Sequence, residues 1–269
     1  YKGDYKKAWF PDHNAQTITQ VSDNGLRLEA FLVEHPASSG GSTDAAPYRF
    51  AILCHGYTGF PSEMGFAAEK FYAEGFSVLA PAARAHAGSE GKVIGMGWAE
   101  RNDIIGWIRI INEKYGNPDI ILYGISMGAA TVMMTCGEDL PENVRCAIED
   151  CGYSSIREQY RHCLTDMMGL PSFPFMIYIH ICVFLVAGLN LRKDGFTTGQ
   201  LKKCRIPMFF VHGTRDKYVP FSMLEENYEA HPGPKEKMIT DATHAGSPWT
   251  AGDEYWTRIM DFVCRYTRS

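Results

Sequence analysis

The 269 residues contain no extended lysine or arginine tract, and Asp+Glu (31) outnumber Lys+Arg (26), for a formal net charge of −5. Nucleic-acid binding rests on a basic footprint, so no nucleic-acid partner is expected. None of the eight cysteines forms a CxxC pair, which removes zinc-ribbon and thioredoxin-like readings. Several lie inside apolar runs (Ile52-Leu53-Cys54, Ile181-Cys182-Val183), where a free thiol serves as a small hydrophobe. HExxH, HxH, GxGxxG and Walker-type loops are all missing, so neither a metal nor a cofactor is implied. Hydrophobic residues at 45% and charged residues at 21% exclude disordered, collagen-like and coiled-coil chains. A signal peptide is also lacking. The sequence starts at Tyr1 and not at Met, which raises the expectation that an upstream segment was removed.

Short apolar runs alternate with helical patterns along most of the chain. Leu26–Val33 alternates like a half-buried strand, and Ala37–Pro47 is rich in Ser, Gly, Ala and Pro and reads as a hairpin loop. Strands are expected at 49–54, 76–80, 119–123, 144–149, 206–211 and 236–240. Helices are expected at 63–74, 98–115, 127–138, 222–230 and 254–265. Residues before about 26 read as polar and aromatic, without an assigned element. Continuous apolar strands alternating with helices indicate an α/β fold, a mostly parallel sheet flanked by helices on both faces. In such sheets the functional groups gather in loops at the carboxyl ends of the strands.

The rhythm breaks between Cys151 and Ile206. Within that gap, the 18 residues from Pro174 to Leu191 have only His180 and Asn190 as clearly polar members. The length is borderline for a membrane span. A spanning segment between two core strands would tear the sheet, so a helical cap is expected at 153–203, inserted after strand 6. The whole chain, 1–269, then forms a single domain.

The strongest chemical signal is Gly124-Ile125-Ser126-Met127-Gly128, a GxSxG that follows a strand and opens a small-residue helix. That context makes it a nucleophile elbow, with Ser126 raised on a sharp turn above the sheet. A serine hydroxyl needs a base. The expected chain order is nucleophile, acid, histidine. Asp216, in His212-Gly213-Thr214-Arg215-Asp216, lies 90 residues downstream of Ser126, and His244 follows after 28 more. His244 is assigned as base and Asp216 as the group that orients it. Asp150 at a strand end is the alternative acid. Asp241 reads as solvent-facing, and His55 and His212 as loop braces. An oxyanion needs backbone donors; the N–H groups of Met127 and of Tyr57, in His55-Gly56-Tyr57-Thr58-Gly59, are the candidates. Tyr57, Phe173, Phe175 and Tyr178 are the candidate substrate contacts, with Met176 and Phe184 as further apolar wall.

The ordered set HGYTG, GISMGA, HGTRDKYVP and THAGS resembles the α/β-hydrolase superfamily. More narrowly, the chain is similar over nearly its whole length to bacterial hydrolases of the prolyl-oligopeptidase/serine-aminopeptidase-like branch. Ser89-Glu90-Gly91-Lys92, Ile94–Trp98 and Glu149–Tyr153 add to the likeness. The chain departs from it in one loop. Where the family writes D-x-R-G-H-G, this sequence has Ala82-Ala83-Arg84-Ala85-His86-Ala87, so the backbone there must accommodate Cβ atoms. The resemblance implies an α/β-hydrolase fold and a bacterial source. It also implies a membrane anchor ahead of the catalytic domain, outside this chain, and with it a membrane-anchored or extracellular location, otherwise a cytoplasmic one.

The expected function is that of a serine hydrolase cleaving carboxylic esters of hydrophobic small molecules through an acyl-enzyme. A peptidase or amidase with the same triad is the alternative. That activity needs an acidic anchor for a free amine, and the cap offers Glu158 and Asp166 without an evident pair. A non-catalytic binding protein is disfavoured by the complete triad.

Overall fold

The computed structural model describes residues 3–36 and 48–267. In chain order the elements are α1 (Trp9–Asp12), β1 (Gln16–Val21), β2 (Arg27–Val33), β3 (Arg49–Cys54), α2 (Gly65–Ala73), β4 (Ser77–Pro81), α3 (Glu100–Tyr115), β5 (Asp119–Ile125), α4 (Met127–Thr135) and β6 (Val144–Asp150). They continue with α5 (Ile156–His162), α6 (Ser172–Ala187), α7 (Thr197–Leu201), β7 (Met208–Gly213), α8 (Ser222–Ala230), β8 (Lys235–Thr240), α9 (Ser247–Thr250) and α10 (Asp253–Tyr266). The strands form one eight-stranded sheet in the order β1-β2-β4-β3-β5-β6-β7-β8. β1 and β2 run antiparallel to each other, as do β2 and β4, and every other pairing is parallel.

Two expectations need correction at the amino-terminal edge. Residues 16–21, whose sequence indicates no element, form β1, which pairs with β2 across the Ser22-Asp23-Asn24-Gly25 turn. Its outward residues are polar and mostly exposed, so the apolar signal of a strand is weak there. The segment read as a hairpin loop, 37–47, lies outside the described residues. The strands it joins are nevertheless not a hairpin, because β4 lies between β2 and β3.

The central strands are apolar at every position because both faces are covered. Alternate side chains divide between the two faces. Ala51, Leu53, Ile121, Tyr123, Phe209 and Val211 pack with α2 and α10, whereas Phe50, Ile52, Leu122, Ala147 and Phe210 pack with α3, α4 and α8. The parallel strands β3, β5, β6, β7 and β8 all end on one edge of the sheet, so residues 55–60, 126, 151, 214–221 and 241–246 gather there.

Between β6 and β7 the chain inserts α5, one π-helical turn (Cys163–Met167), α6 and α7. α6 contains no buried residue, yet Ile179, Val183 and Ala187 lean on a third apolar cluster that includes Met127, Met134, Tyr153 and Leu191. Among the described residues, no helix is long and apolar enough to cross a membrane.

The loop after β4 is tied down densely. Ser89 Oγ donates to Ala82 O (2.8 Å) and accepts from Glu29 N (2.9 Å). Arg84 forms a two-pronged pair with Asp103 at 2.9 and 2.6 Å. Gly95 and Gly97 N–H both donate to the buried Glu100 carboxylate, at 2.7 and 2.8 Å. The alanines that depart from the family pattern sit in left-handed backbone, with φ of 61° at Ala85 and 46° at Ala87. The loop therefore keeps a glycine conformation without the glycines, at a steric cost of about 1–2 kcal/mol per residue.

A polar thread crosses the core on the α10 side. Tyr123 and Tyr255 hydroxyls lie 2.8 Å apart, and Tyr255 donates to Asp150 Oδ2 at 2.9 Å. Asp150 Oδ1 is buried without a partner among the described residues. Burial pushes the Asp150 carboxyl up to about 6, against the Tyr255 bond and the nearby His212 and His244 rings.

Two stability predictions follow from these features. Ala85→Gly and Ala87→Gly should each stabilise the fold by roughly 0.5–1 kcal/mol, since relief of the left-handed strain exceeds the entropy a glycine adds to the unfolded chain. Lower urea midpoints in both variants would contradict the backbone conformation. Asp150 holds its proton more tightly folded than unfolded. Its contribution is thus complete below the ordinary carboxyl value and is lost as pH rises through about 6. Asp150→Asn should therefore gain stability relative to the native chain, on the order of 2–3 kcal/mol, between pH about 4 and above 6. A difference that stays constant with pH in urea titrations would refute the burial argument.

Candidate active site

The turn after β5 is shaped by glycine on both sides. A Cβ on Gly124 would stand 2.2 Å from Gly128 O, and one on Gly128 only 2.0 Å from Cys54 O. The strand, the helix and β3 therefore approach closer than any side chain permits. Ser126 between them takes φ 57° and ψ −119°, outside the regions that side-chain-bearing residues favour. Its N–H is fixed by Asp150 O at 2.8 Å. The hydroxyl is thereby lifted off the sheet edge at the start of α4.

The structure brings together Ser126, His244 and Asp216. Ser126 Oγ is 2.8 Å from His244 Nε2, and His244 Nδ1 is 2.7 Å from Asp216 Oδ2. An ionised carboxylate only accepts, so Nδ1 carries the proton and Nε2 is left to accept from the serine hydroxyl. Asp216 Oδ1 accepts the Tyr218 and Val219 N–H groups at 2.8 and 2.9 Å. His212 Nε2, which donates to Val219 O at 3.0 Å, also lies 3.4 Å from Asp216 Oδ2. Burial opposes ionisation of Asp216, but the bonds from His212, His244 and the Val219 N–H outweigh it and hold the carboxyl well below its usual range. Asp150 makes no bond to His244; its bonded oxygen goes to Tyr255. Asp241 is exposed and pairs with Arg215.

His55 braces a loop as expected, as does His212 through Val219 O, and His86 does the same without having been singled out for it. His55 Nδ1 donates to Gly56 O (2.8 Å) and Nε2 accepts from Ala83 N–H (3.1 Å). His86 Nδ1 donates to Arg84 O (2.9 Å) and Nε2 accepts from Thr58 N–H (3.1 Å). The two rings lie edge to face, 4.9 Å apart. Burial lowers the His55 imidazole to about 4, which keeps it neutral and able to accept. This pair fixes residues 56–59 beside Ser126. The peptide N–H groups of Tyr57 and Met127 are engaged by no hydrogen bond among the described residues.

A cavity of about 310 Å³ opens over Ser126 and His244, lined also by Tyr57, Tyr218, Phe66 and Glu63. Tyr57 thus lies where a substrate contact was expected. Phe173, Phe175 and Tyr178 do not line it; they are exposed on α6, because α6 lies to one side and turns its aromatic residues outward. Tyr5, Glu63, Met64, Phe66 and Tyr218 line the cavity and were not anticipated. For Tyr218 a signal existed, two residues after Asp216. For Tyr5 only the fold brings the amino-terminal segment across. Donor atoms of Cys151, Asp216 and His244 lie within 4.8 Å of one another. The Cys151 thiol is pushed well up by burial, which keeps it protonated and a poor metal ligand.

The comparisons agree with this architecture. Residues 45–171 match the family model described as serine aminopeptidase, S33. The chain is 28% identical over 214 residues to the uncharacterized protein YqkD of Bacillus subtilis, covering 79% of this chain and 70% of that one. An esterase of Pyrococcus furiosus superposes with a TM-score of 0.75 at 21% identity, covering 99% of this chain and 95% of that one. An acylaminoacyl peptidase of Pyrococcus horikoshii superposes with a TM-score of 0.68 at 15% identity, covering 95% of this chain and 42% of that one. With the eight-stranded sheet and these likenesses together, the chain has the α/β-hydrolase fold.

Proposed function

We propose that this hydrolase cleaves carboxylic esters of hydrophobic small molecules through an acyl-Ser126 intermediate. The observation that carries the reading is the unbroken chain of hydrogen bonds from Ser126 Oγ through His244 to Asp216, at 2.8 and 2.7 Å. In the first half-reaction the Ser126 proton passes to His244 Nε2 as Oγ attacks the ester carbonyl. The oxyanion then accepts from the Tyr57 and Met127 N–H groups. Collapse expels the alcohol, which takes the proton back from His244. Water repeats the sequence and releases the acid. Asp216 stays ionised throughout and stabilises the imidazolium. Residues 153–203 are read as an insertion of the same catalytic domain.

Two features favour esters over peptides with a free amine. The cavity lining is largely apolar and aromatic. Its one acidic member, Glu63, is already engaged by Lys7 at 2.8 Å and by the Phe60 N–H. An ammonium group would have to displace that lysine. The Pyrococcus furiosus esterase and the Pyrococcus horikoshii peptidase share the fold, and the apolar lining of the cavity supports the ester reading over the peptide one.

A fluorophosphonate probe is expected to label Ser126 in the native chain and nothing in Ser126→Ala. The variant should lose on the order of 10⁴–10⁶ in kcat on p-nitrophenyl butyrate. The native chain should cleave short acyl esters faster than aminoacyl-naphthylamides. Undiminished esterase activity in Ser126→Ala would overturn the nucleophile, and faster amide cleavage would overturn the substrate class.

A further inference from the structure

α6 is built the wrong way round for a helix facing water. Its partly buried residues, Met176, Ile179, His180, Val183 and Ala187, recur at three- and four-residue spacing and form the face turned toward the protein. The only side chain on the helix with an ionisable ring nitrogen, His180, is therefore on the inward face. The outward face carries Ile177, Tyr178, Ile181, Phe184, Leu185 and Val186, and all of them are exposed, Leu185 at 76%. No charged residue occurs from Met167 to Leu191. Exposed Met167, Met168 and Leu170 extend the apolar surface at the amino end of the helix. Monomeric soluble proteins rarely expose apolar surface of this continuity.

The width of the exposed arc distinguishes the possible occupants. At about 100° per residue, the outward residues span roughly 200° of the helix circumference. A partner helix covers a stripe of about 100° and would leave half of the arc wet. A planar hydrocarbon boundary covers all of it. The helix is about 24 Å long at most, shorter than the ~30 Å needed to cross a bilayer, so it fits an element lying in the boundary plane.

Charge points to the kind of surface. Although the chain is net negative, cations stand near the carboxyl end of α6. Arg192 and Lys193 lie a short way beyond its last residue, Ala187, and are exposed. The groove that contains Val186 and Ala187 is lined by Lys92 and Arg84 and by no acidic residue. Lys92, Arg192 and Lys193 form no ion pair among the described residues. The nearest acid in the sequence, Asp194, is turned to the Asn190 N–H at 2.9 Å.

We propose that α6 docks the protein flat on an anionic lipid bilayer, its outward arc at the acyl-headgroup boundary and the unpaired Lys92, Arg192 and Lys193 toward the headgroups. This contact is made by the catalytic domain itself, independently of any anchor, and does not rest on the reading of Ser126. It is tested by flotation of the full chain with vesicles of phosphatidylcholine alone or with about one-third phosphatidylglycerol. The native chain should float several-fold more with the anionic vesicles. The double variant Ile181→Glu/Leu185→Glu should lose at least tenfold of that binding while keeping its far-UV spectrum and its turnover of soluble p-nitrophenyl acetate. Failure of the native chain to float with the anionic vesicles, equal flotation with both vesicle types, or undiminished flotation of the variant would overturn the proposal. So would a native dimer in light scattering that the variant dissociates, in the absence of vesicle binding, since the occupant would then be a second copy.

Discussion

The close approach of three backbones around Ser126 is the constraint on which the site depends. Gly128 lies against Cys54 O and Gly124 against Gly128 O, at distances that leave no room for a Cβ. That contact forces the turn between β5 and α4 to be abrupt. The strained dihedrals of Ser126, worth on the order of 1–3 kcal/mol, persist because the surroundings over-determine them. β5 is buried at every position, α4 is buried on all sides, and the Ser126 N–H is held by Asp150 O. The same turn aims the hydroxyl at His244 and leaves the Met127 N–H at a helix start, where donors are unsatisfied by construction. The proposed nucleophile and the proposed anion-stabilising donor thus follow from one geometric requirement.

The other side of the site is set by neutral histidines. His55 and His86 each donate through Nδ1 and accept through Nε2. Together they tie the loop after β3 to the loop after β4, and so hold the Tyr57 N–H beside Ser126. A protonated ring could not accept, and burial of His55 keeps it neutral. The alanine substitutions in the β4 loop are tolerated for a related reason. Arg84 and His86, the two side chains that make the bracing contacts, are retained, and the dense bonding around them holds Ala85 and Ala87 in left-handed backbone. Asp216, by contrast, must be charged. Two histidines and two peptide N–H groups converge on its buried carboxylate.

Much of this was legible in the residues alone. The central strands and most helices fall where apolar runs and helical spacing put them, because burial on both faces writes itself into continuous hydrophobic stretches. Ser126, Asp216 and His244 could be named because each follows a strand whose carboxyl end lies on one edge. What escaped was of two kinds. β1 is an edge strand with polar exposed residues, so it carries little apolar signal. The cavity walls come from segments distant in sequence, Tyr5 and Phe66 among them, which only the folded chain brings together. Composition points the aromatic residues of α6 toward the pocket, but it does not say which way a helix turns. Here the apolar excess faces outward.

The proposed chemistry depends on a developing oxyanion meeting the Tyr57 and Met127 N–H groups while Ser126 is covalently engaged. A crystal structure of the phosphonate adduct measures this directly. Phosphorus should be bonded to Ser126 Oγ, with one phosphoryl oxygen about 2.7–3.1 Å from both N–H nitrogens and His244 still bonded to Asp216. An adduct on Ser126 whose oxygen points away from both donors, or an adduct on another residue, would contradict it.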